Sequence, residues 1–160
     1  MKLAETVTFG GSGLNRAAEL RDDVEAMQTY RANPASEAIV FWKGKPMIRR
    51  SAQDALVRVS MSHDLIADRA DNALFLGLEN GRAIFAHDVS DWVPEGAEEA
   101  ATGAIFDFSE QSHPDFPETD VFSELRANLT CLNARDAELA ATALAVFSWH
   151  RSHQFCSCVQ

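Results

Sequence analysis

The sequence predicts an α+β fold, with a small and mainly antiparallel sheet, flanking helices and a long carboxyl-terminal helix. Two observations lead to this prediction. Short apolar runs separated by turn signals occupy residues 38 to 86. The segment after Asn133 is rich in alanine and contains neither glycine nor proline, as a long helix requires. At 160 residues and 46% hydrophobic, the chain is large enough to bury one core of its own.

Charge limits the classes of partner. The net charge is −10, from 24 acidic and 14 basic residues, which argues against a general nucleic-acid or anionic-membrane surface. The start of the chain lacks the apolar core of a signal peptide, and no run approaches the ~20 apolar residues that span a bilayer. Three cysteines do not make a secreted disulfide framework. We therefore predict a cytoplasmic protein in which Cys131 is a small, partly buried apolar residue.

The first feature along the chain is a glycine-rich turn, FGGSGLNR, at residues 9 to 16. It lacks the Gly-Lys-Ser/Thr ending of a phosphate-binding loop and the third glycine of a dinucleotide fingerprint. We predict a loop that is capped into a helix from about Asn15 to Ala26.

A first hairpin is predicted after Asn33-Pro34. The apolar run from Ala38 to Trp42 suits a buried strand, Lys43 to Pro46 is a turn signal, and Met47 begins the return strand. Four cations surround this hairpin: Lys43, Lys45, Arg49 and Arg50. Solvated strand ends and edge protection explain them best, and an anion contact is the alternative.

The clearest β signal follows. Residues 55 to 60 alternate imperfectly and suit another strand, and residues 64 to 71 suit a short helical or irregular connection. The runs 73 to 78 and 82 to 86 then flank Asn80-Gly81, a pair that favours a tight hairpin turn. His87 and Asp88 follow and are interpreted as strand-end residues, because neighbouring strand residues point to opposite faces.

The middle of the chain is acidic and is broken by Pro114 and Pro117. Close carboxylates can bind Mg²⁺, but a solvated acidic loop explains this composition better. The acidic residues are Glu98, Glu99, Glu110, Asp115, Glu118 and Asp120.

The sequence contains a signal for the amino terminus of the long helix. Asn133 can cap free backbone N–H groups, and Asp136 places a carboxylate where the helix dipole favours one. Two neighbouring apolar stripes predict one broad buried face. They consist of Ala140, Leu144 and Phe147, and of Leu139, Ala143 and Val146.

Metal-binding residue types crowd the end of the chain. His150, His153, Cys156 and Cys158 are all possible zinc ligands, and histidines at i and i+3 share a helical face. A His₂Cys₂ zinc site is therefore one hypothesis. However, Cys-x-Cys is shorter than the usual Cys-x₂-Cys spacing, and four ligands within nine residues would strain a tetrahedron.

Four phrases resemble one family. They are SWHRSHQFC at 148 to 156, FLGLENGRAIFAHDVS at 75 to 90, FSELR at 122 to 126 and LNRAAELR at 14 to 21. Taken in their order along the chain, they resemble the amino-terminal domain of bacterial NADH pyrophosphatases, which are NAD⁺ diphosphatases of the Nudix superfamily. In that family a long helix leads into a four-cysteine zinc ribbon, and the catalytic Nudix domain follows.

The resemblance implies a division into parts. Residues 1–132 would form a rudimentary Nudix-like domain, residues 133–154 the long helix that closes it, and residues 155–160 the start of a zinc ribbon. Cys156 and Cys158 would be an incomplete zinc half-site, and the catalytic domain would be absent. The match becomes poor after Cys156, so we expect the chain to be interrupted inside the ribbon.

The Nudix catalytic phrase, G-x5-E-x7-R-E-U-x-E-E-x-G-U, is missing. Only Gly13 has a glutamate, Glu19, at the required spacing, and Met27-Gln28 stand where Arg-Glu is needed. The resemblance therefore implies a non-catalytic module with an architectural or dimerisation role. Its partner would be a second copy or a full-length relative. Zinc and Mg²⁺ or Mn²⁺ would belong to the full-length enzyme, and NAD(H) would bind only with the missing domain. A stand-alone nucleotide-binding or dimerisation module and a small His/Cys zinc protein are the alternatives.

Overall fold

The computed structural model describes residues 12–69, 72–95 and 109–153. The strands within these ranges are β1 Glu37–Trp42, β2 Lys45–Arg49, β3 Ala55–Leu56, β4 Val59–Ser60, β5 Leu74–Glu79, β6 Arg82–Asp88, β7 Gln111–Ser112 and β8 Asp120–Phe122. The helices are α1 Val24–Ala32, α2 Asp64–Ala67, α3 Leu125–Asn128 and α4 Ala134–His153, with a 3-10 turn at Ala18–Leu20.

The strands form one mixed sheet in the order β5-β6-β1-β2-β8-β7. Strand β3 pairs with β2, and β4 pairs with β1. Strands β1 and β6 run parallel, whereas the remaining pairs are antiparallel. The predicted α+β fold with a mainly antiparallel sheet is confirmed.

Both faces of the sheet are covered. Met27 of α1 and Ile66 of α2 belong to the apolar cluster on one face, together with Phe85. Leu125 of α3 and Leu139 of α4 belong to the cluster on the other face. Because β1 contributes alternate residues to both clusters, it must be apolar throughout, which is why its sequence is a continuous apolar run.

Two tight turns fix the predicted hairpins. Lys43 and Gly44 have φ values of 49° and 80°, and Asn80 and Gly81 have φ values of 50° and 79°. Two successive positive φ angles are the type I′ arrangement, whose twist matches that of the flanking strands. Both hairpin predictions are confirmed.

Gly77 is a position where only glycine fits. Its φ is +153°, and a Cβ built there would lie 2.5 Å from the carbonyl oxygen of Asn15. That oxygen accepts a 2.7 Å hydrogen bond from the Leu78 N–H, and the register of β5 against β6 shifts between Phe75 and Gly77. The glycine thus allows the amino-terminal segment to lie directly on the edge of β5.

Gly77→Ala is expected to lower the free energy of unfolding by about 3 kcal/mol, because it adds both backbone strain and an overpacked contact. Urea denaturation measures the change. The matched control is Gly81→Ala, where a Cβ would have open space around it and only the positive φ opposes substitution. A loss at Gly77 no larger than the loss at Gly81 would contradict the close contact with Asn15.

The structure corrects two local predictions. The helix predicted from about Asn15 to Ala26 is wrong, since α1 begins at Val24 and Asp23 accepts a 2.9 Å hydrogen bond from the Ala26 N–H. The Asn15 side chain accepts from the Ala17 N–H in a local turn, which competes with a helix. Cys131, predicted to be partly buried, is exposed, because it lies in the turn between α3 and α4.

The sheet also extends beyond residues 38 to 86. Strands β7 and β8 come from the segment that was predicted to be a solvated acidic loop, and β8 pairs with β2. Asp120 in β8 is fully buried, so that prediction is wrong for this part of the segment. Glu98 and Glu99 lie outside the described residues.

The long helix α4 is confirmed, including its capping residue. The Asn133 side chain accepts a 2.9 Å hydrogen bond from the Asp136 N–H. Leu139, Ala140 and Ala143 are fully buried against the sheet, and Phe147 packs against the same cluster. Leu144 packs there too, so five of the six residues in the predicted stripes form the buried face of α4. The sixth, Val146, is half-buried and belongs to neither core cluster.

Candidate ligand pocket and buried charge network

A recess of about 630 Å³ lies at the sheet edge formed by β5, between α1 and α4. Its volume is in the range of small-molecule sites. Its lining combines apolar side chains with three arginines. The lining residues are Arg16, Arg21, Met27, Arg31, Ala73, Leu74, Phe75, Leu76, Thr142 and Val146.

Arg16 is held by helix α4. Its Nη2 atom lies 2.5 Å from a carboxylate oxygen of Glu138 and donates to the Thr142 hydroxyl at 3.3 Å. Glu138 is buried, and the Ser12 hydroxyl also donates to it. The carboxylate therefore neutralises and orients Arg16 at the edge of the pocket.

Arg21 and Arg31 differ from the other arginines near the sheet. Neither side chain has a hydrogen bond or a carboxylate partner among the residues that the structure describes. Within the same residues, the Nε atom of Arg31 is buried without an acceptor. Seven other arginines have carboxylate partners within the described ranges. These pairs are Arg16–Glu138, Arg49–Asp120, Arg50–Asp54, Arg58–Asp136, Arg69–Asp91, Arg82–Glu37 and Arg135–Glu79.

A charge network beside the pocket anchors the start of α4. Asp136 is buried and accepts from the Leu56 N–H at 3.0 Å and from Arg58 at 2.7 Å. Arg135 donates to Glu79 at 2.8 Å and to the Ser12 carbonyl oxygen at 2.5 Å. Two consecutive residues at the helix start, Arg135 and Asp136, thus bind strands β3 and β5 and the amino-terminal segment.

Two of the four cations of the first hairpin, Lys43 and Arg49, are exposed as predicted, whereas Lys45 is buried and Arg50 is half-buried. Arg49 forms a bidentate pair with Asp120 at 2.8 and 2.7 Å, and this hydrogen bonding holds the pKa of the Asp120 carboxyl below its usual value. Arg50 contacts Asp54 and Glu110, while Lys45 is buried and donates to the Ser109 carbonyl oxygen at 2.7 Å. Only Lys43 of the four is exposed at a turn, with its ammonium 4.7 Å from the Trp42 ring centroid.

His87 is a buried titratable group on β6. Burial is the largest cause that lowers its pKa to about 4, and the charges of Arg69 and Arg31 lower it further. Its Nε2 atom has no hydrogen-bond partner among the described residues. The side chain is therefore neutral at pH 7 and is part of the core.

This histidine predicts an acid-sensitive fold. Because the pKa is about 4 in the folded state and about 6.5 in the unfolded state, only the unfolded chain binds the proton between these values. The free energy of unfolding should fall by about 3 kcal/mol as the pH drops from about 6.5 to about 4, with no contribution above that window.

Urea denaturation at a series of pH values tests this prediction. His87→Gln should flatten part of the decline, and the exposed His150→Gln should not. Burial also lowers the pKa of His113, so a smaller decline should persist in the His87 variant. Equal slopes for the wild type and His87→Gln would contradict the prediction.

The end of α4 carries the remaining predicted ligands. Trp149, His150 and His153 are exposed, and the rings of Trp149 and His153 stack with centroids 4.6 Å apart. Cys156 and Cys158 lie outside the described residues. Within the described ranges, no group of three or more His, Cys, Asp or Glu side chains is placed to hold a metal ion.

The fold and its charge network define a class: an α+β domain whose mixed sheet is covered on both faces and closed by a long helix. Residues 36–149 match the NADH pyrophosphatase-like rudimentary NUDIX domain. The chain belongs to this family.

One relative extends the comparison. The human mitochondrial NAD(P)H pyrophosphatase NUDT13 is 31% identical over 155 residues, covering 87% of this chain. The chain spans 40% of that relative's length. Across the residues that the structure describes, no helix is both long and apolar enough to span a bilayer, and the cytoplasmic location stays a prediction.

Proposed function

We propose that this chain is the non-catalytic amino-terminal domain of an NAD(H) diphosphatase and has an architectural role. The observation that carries the proposal is that the one partial match to the Nudix phrase lacks the helix and the acidic residue which that phrase requires. Gly13 and Glu19 lie in a loop and a 3-10 turn, and Met27-Gln28 of α1 replace the required Arg-Glu pair. Neither Met27 nor Gln28 offers the carboxylate that would bind a divalent cation.

In a whole enzyme of this kind, water would attack a diphosphate phosphorus with help from divalent metals and give nicotinamide mononucleotide and AMP. On this proposal those metal ligands belong to a separate catalytic domain. The present chain would supply the sheet, which is covered on both faces, and α4, against which the zinc ribbon would pack. We therefore expect no NADH hydrolysis by this chain alone.

The zinc half-site is part of the same proposal. Cys156 and Cys158 would contribute two thiolates, and zinc in structural sites takes four ligands. We expect the chain alone to bind less than one zinc per chain in elemental analysis. A stoichiometric content that is lost in Cys156→Ser would instead favour the small His/Cys zinc protein, with His150 and His153 completing the set.

Self-association is the proposed architectural role. Trp149 is 57% exposed at the end of α4, and a large exposed aromatic side chain favours burial in a contact. Light scattering over a range of concentrations should show the mass rising from one chain to two. A single-chain mass at every concentration would contradict a homodimer and leave pairing with a full-length relative, which co-purification of the two proteins tests.

A stand-alone nucleotide-binding module is the second candidate function. Arg21 and Arg31 line the recess and have no carboxylate partner among the residues described. Their guanidinium groups favour this function, since a phosphate needs such donors.

A further inference from the structure

The recess beside β5 concentrates positive charge in an acidic protein. The chain carries a net charge of −10, so it has no general attraction for anions. Nevertheless, Arg16, Arg21 and Arg31 all line the same recess. Two of these three arginines, Arg21 and Arg31, have no carboxylate partner in the described part of the chain.

Burial makes this arrangement costly without a ligand. The Nε atom of Arg31 is inaccessible to water and has no acceptor in the described ranges. A buried donor without an acceptor destabilises the fold. An anion in the recess would supply the missing acceptor. Guanidinium groups bind phosphate oxygens through paired hydrogen bonds, and several of them suit the multiple oxygens of a phosphate.

The remaining lining forms a largely apolar wall. Phe75 and Met27 of one core cluster and Leu76 of the other line the recess and are buried. Val146 of α4 lines it too. Inorganic phosphate would leave this wall uncovered. A ligand with a flat or apolar group would cover it and gain from the burial.

We propose that this recess binds a nucleotide-sized organic phosphate, whose phosphate contacts Arg21 and Arg31 and whose apolar or aromatic portion lies against Phe75. Arg16 positions the ligand from the rim while it stays paired with Glu138. The Thr142 hydroxyl, which already accepts from Arg16, offers a further polar contact. Binding at this site requires no bond cleavage.

Calorimetric titration of the full chain tests the site with three probes: ADP, inorganic pyrophosphate and adenosine. ADP should bind saturably at one per chain and more tightly than either of the other probes. Arg21→Gln and Arg31→Gln should each weaken ADP binding roughly tenfold, since each removes a charge-assisted hydrogen bond. Arg151→Gln, which removes an exposed cation on α4 outside the recess, should change the affinity by less than about twofold.

Several outcomes would overturn the proposal. They are an absence of saturable ADP binding at millimolar concentration, equal affinities for ADP and either fragment, and equal weakening in Arg151→Gln and Arg31→Gln. Arg21 is exposed, so the Arg21→Gln variant should fold. It therefore still tests the site if the Arg31→Gln variant unfolds. The inference deepens the second candidate function, nucleotide binding, and does not depend on the non-catalytic role. An absence of ADP binding would overturn the recess site alone, whereas NADH cleavage would overturn only the proposed non-catalytic role.

Discussion

Asp136→Ala is expected to lower the free energy of unfolding by about 3 to 5 kcal/mol, the cost of breaking a buried charge pair from one side. The substitution removes the acceptor for the Leu56 N–H and for Arg58. It also removes the acceptor for the Asn133 side-chain amide at 3.2 Å. The buried Leu56 N–H would be left without a partner, which adds its own penalty.

Thermal and urea denaturation measure this loss. Glu118→Ala, which removes one negative charge from an exposed loop position, is the matched control and should stay within about 0.5 kcal/mol of the wild type. Asp136→Asn should lie between the two, because the amide keeps one acceptor oxygen. A loss below about 1 kcal/mol for Asp136→Ala would show that the network does not anchor α4.

Phe41→Ala is the second substitution with a large expected effect. Phe41 is fully buried, and its ring meets Phe147 of α4 edge-to-face, with centroids 5.5 Å apart. Truncation would leave a cavity between β1 and α4 and should lower the free energy of unfolding by about 3 to 5 kcal/mol. Because the free energy of unfolding of a domain of this size is only about 5 to 15 kcal/mol, this loss would remove a large part of its stability.

Two further variants test whether the loss of stability comes from the volume removed at Phe41. Phe41→Leu should cost less, since most of the volume remains. Phe147→Ala should also cost less, because Phe147 is only partly buried. Urea midpoints at constant slope measure all three variants. If Phe147→Ala lowered the free energy of unfolding as much as Phe41→Ala, Phe41 of β1 would not contribute more to this core than Phe147.

The fold was predictable wherever local signals agree. Asn80-Gly81 sets a turn by its own backbone preference, and Asn133 caps α4 through a side chain three residues from its target. The continuous apolar run of β1 likewise reflects burial on both faces. These features need no knowledge of distant residues.

The charged residues were not predictable in this way. Asp120 lies 71 positions after Arg49, and the pair places a carboxylate with 1% side-chain exposure against a guanidinium with 53%. A count of acidic residues predicts a solvated loop, whereas the partner across the sheet makes burial of this one carboxylate tolerable. Strand β8 has three residues, too few to show a periodicity.

The pocket depends on the same non-local information. Arg21 precedes α1, Phe75 lies in β5, and Val146 lies in α4, so no spacing along the chain links them. The amino-terminal helix was also misplaced because Asn15 and Asp23 are both capping residue types, and only the structure shows that Asp23 caps α1. Asn15 instead forms an isolated bridge with Leu78 of β5, a contact that no local sequence pattern indicates.

The most direct test of the central claim is an assay of dinucleotide cleavage. The purified chain would be incubated with NADH or NAD⁺ in the presence of Mg²⁺ or Mn²⁺, and the release of nicotinamide mononucleotide and AMP would be followed by chromatography. We expect no release above the buffer control from folded protein. Release that rises in proportion to the chain and stops when the metal is chelated would contradict a non-catalytic domain.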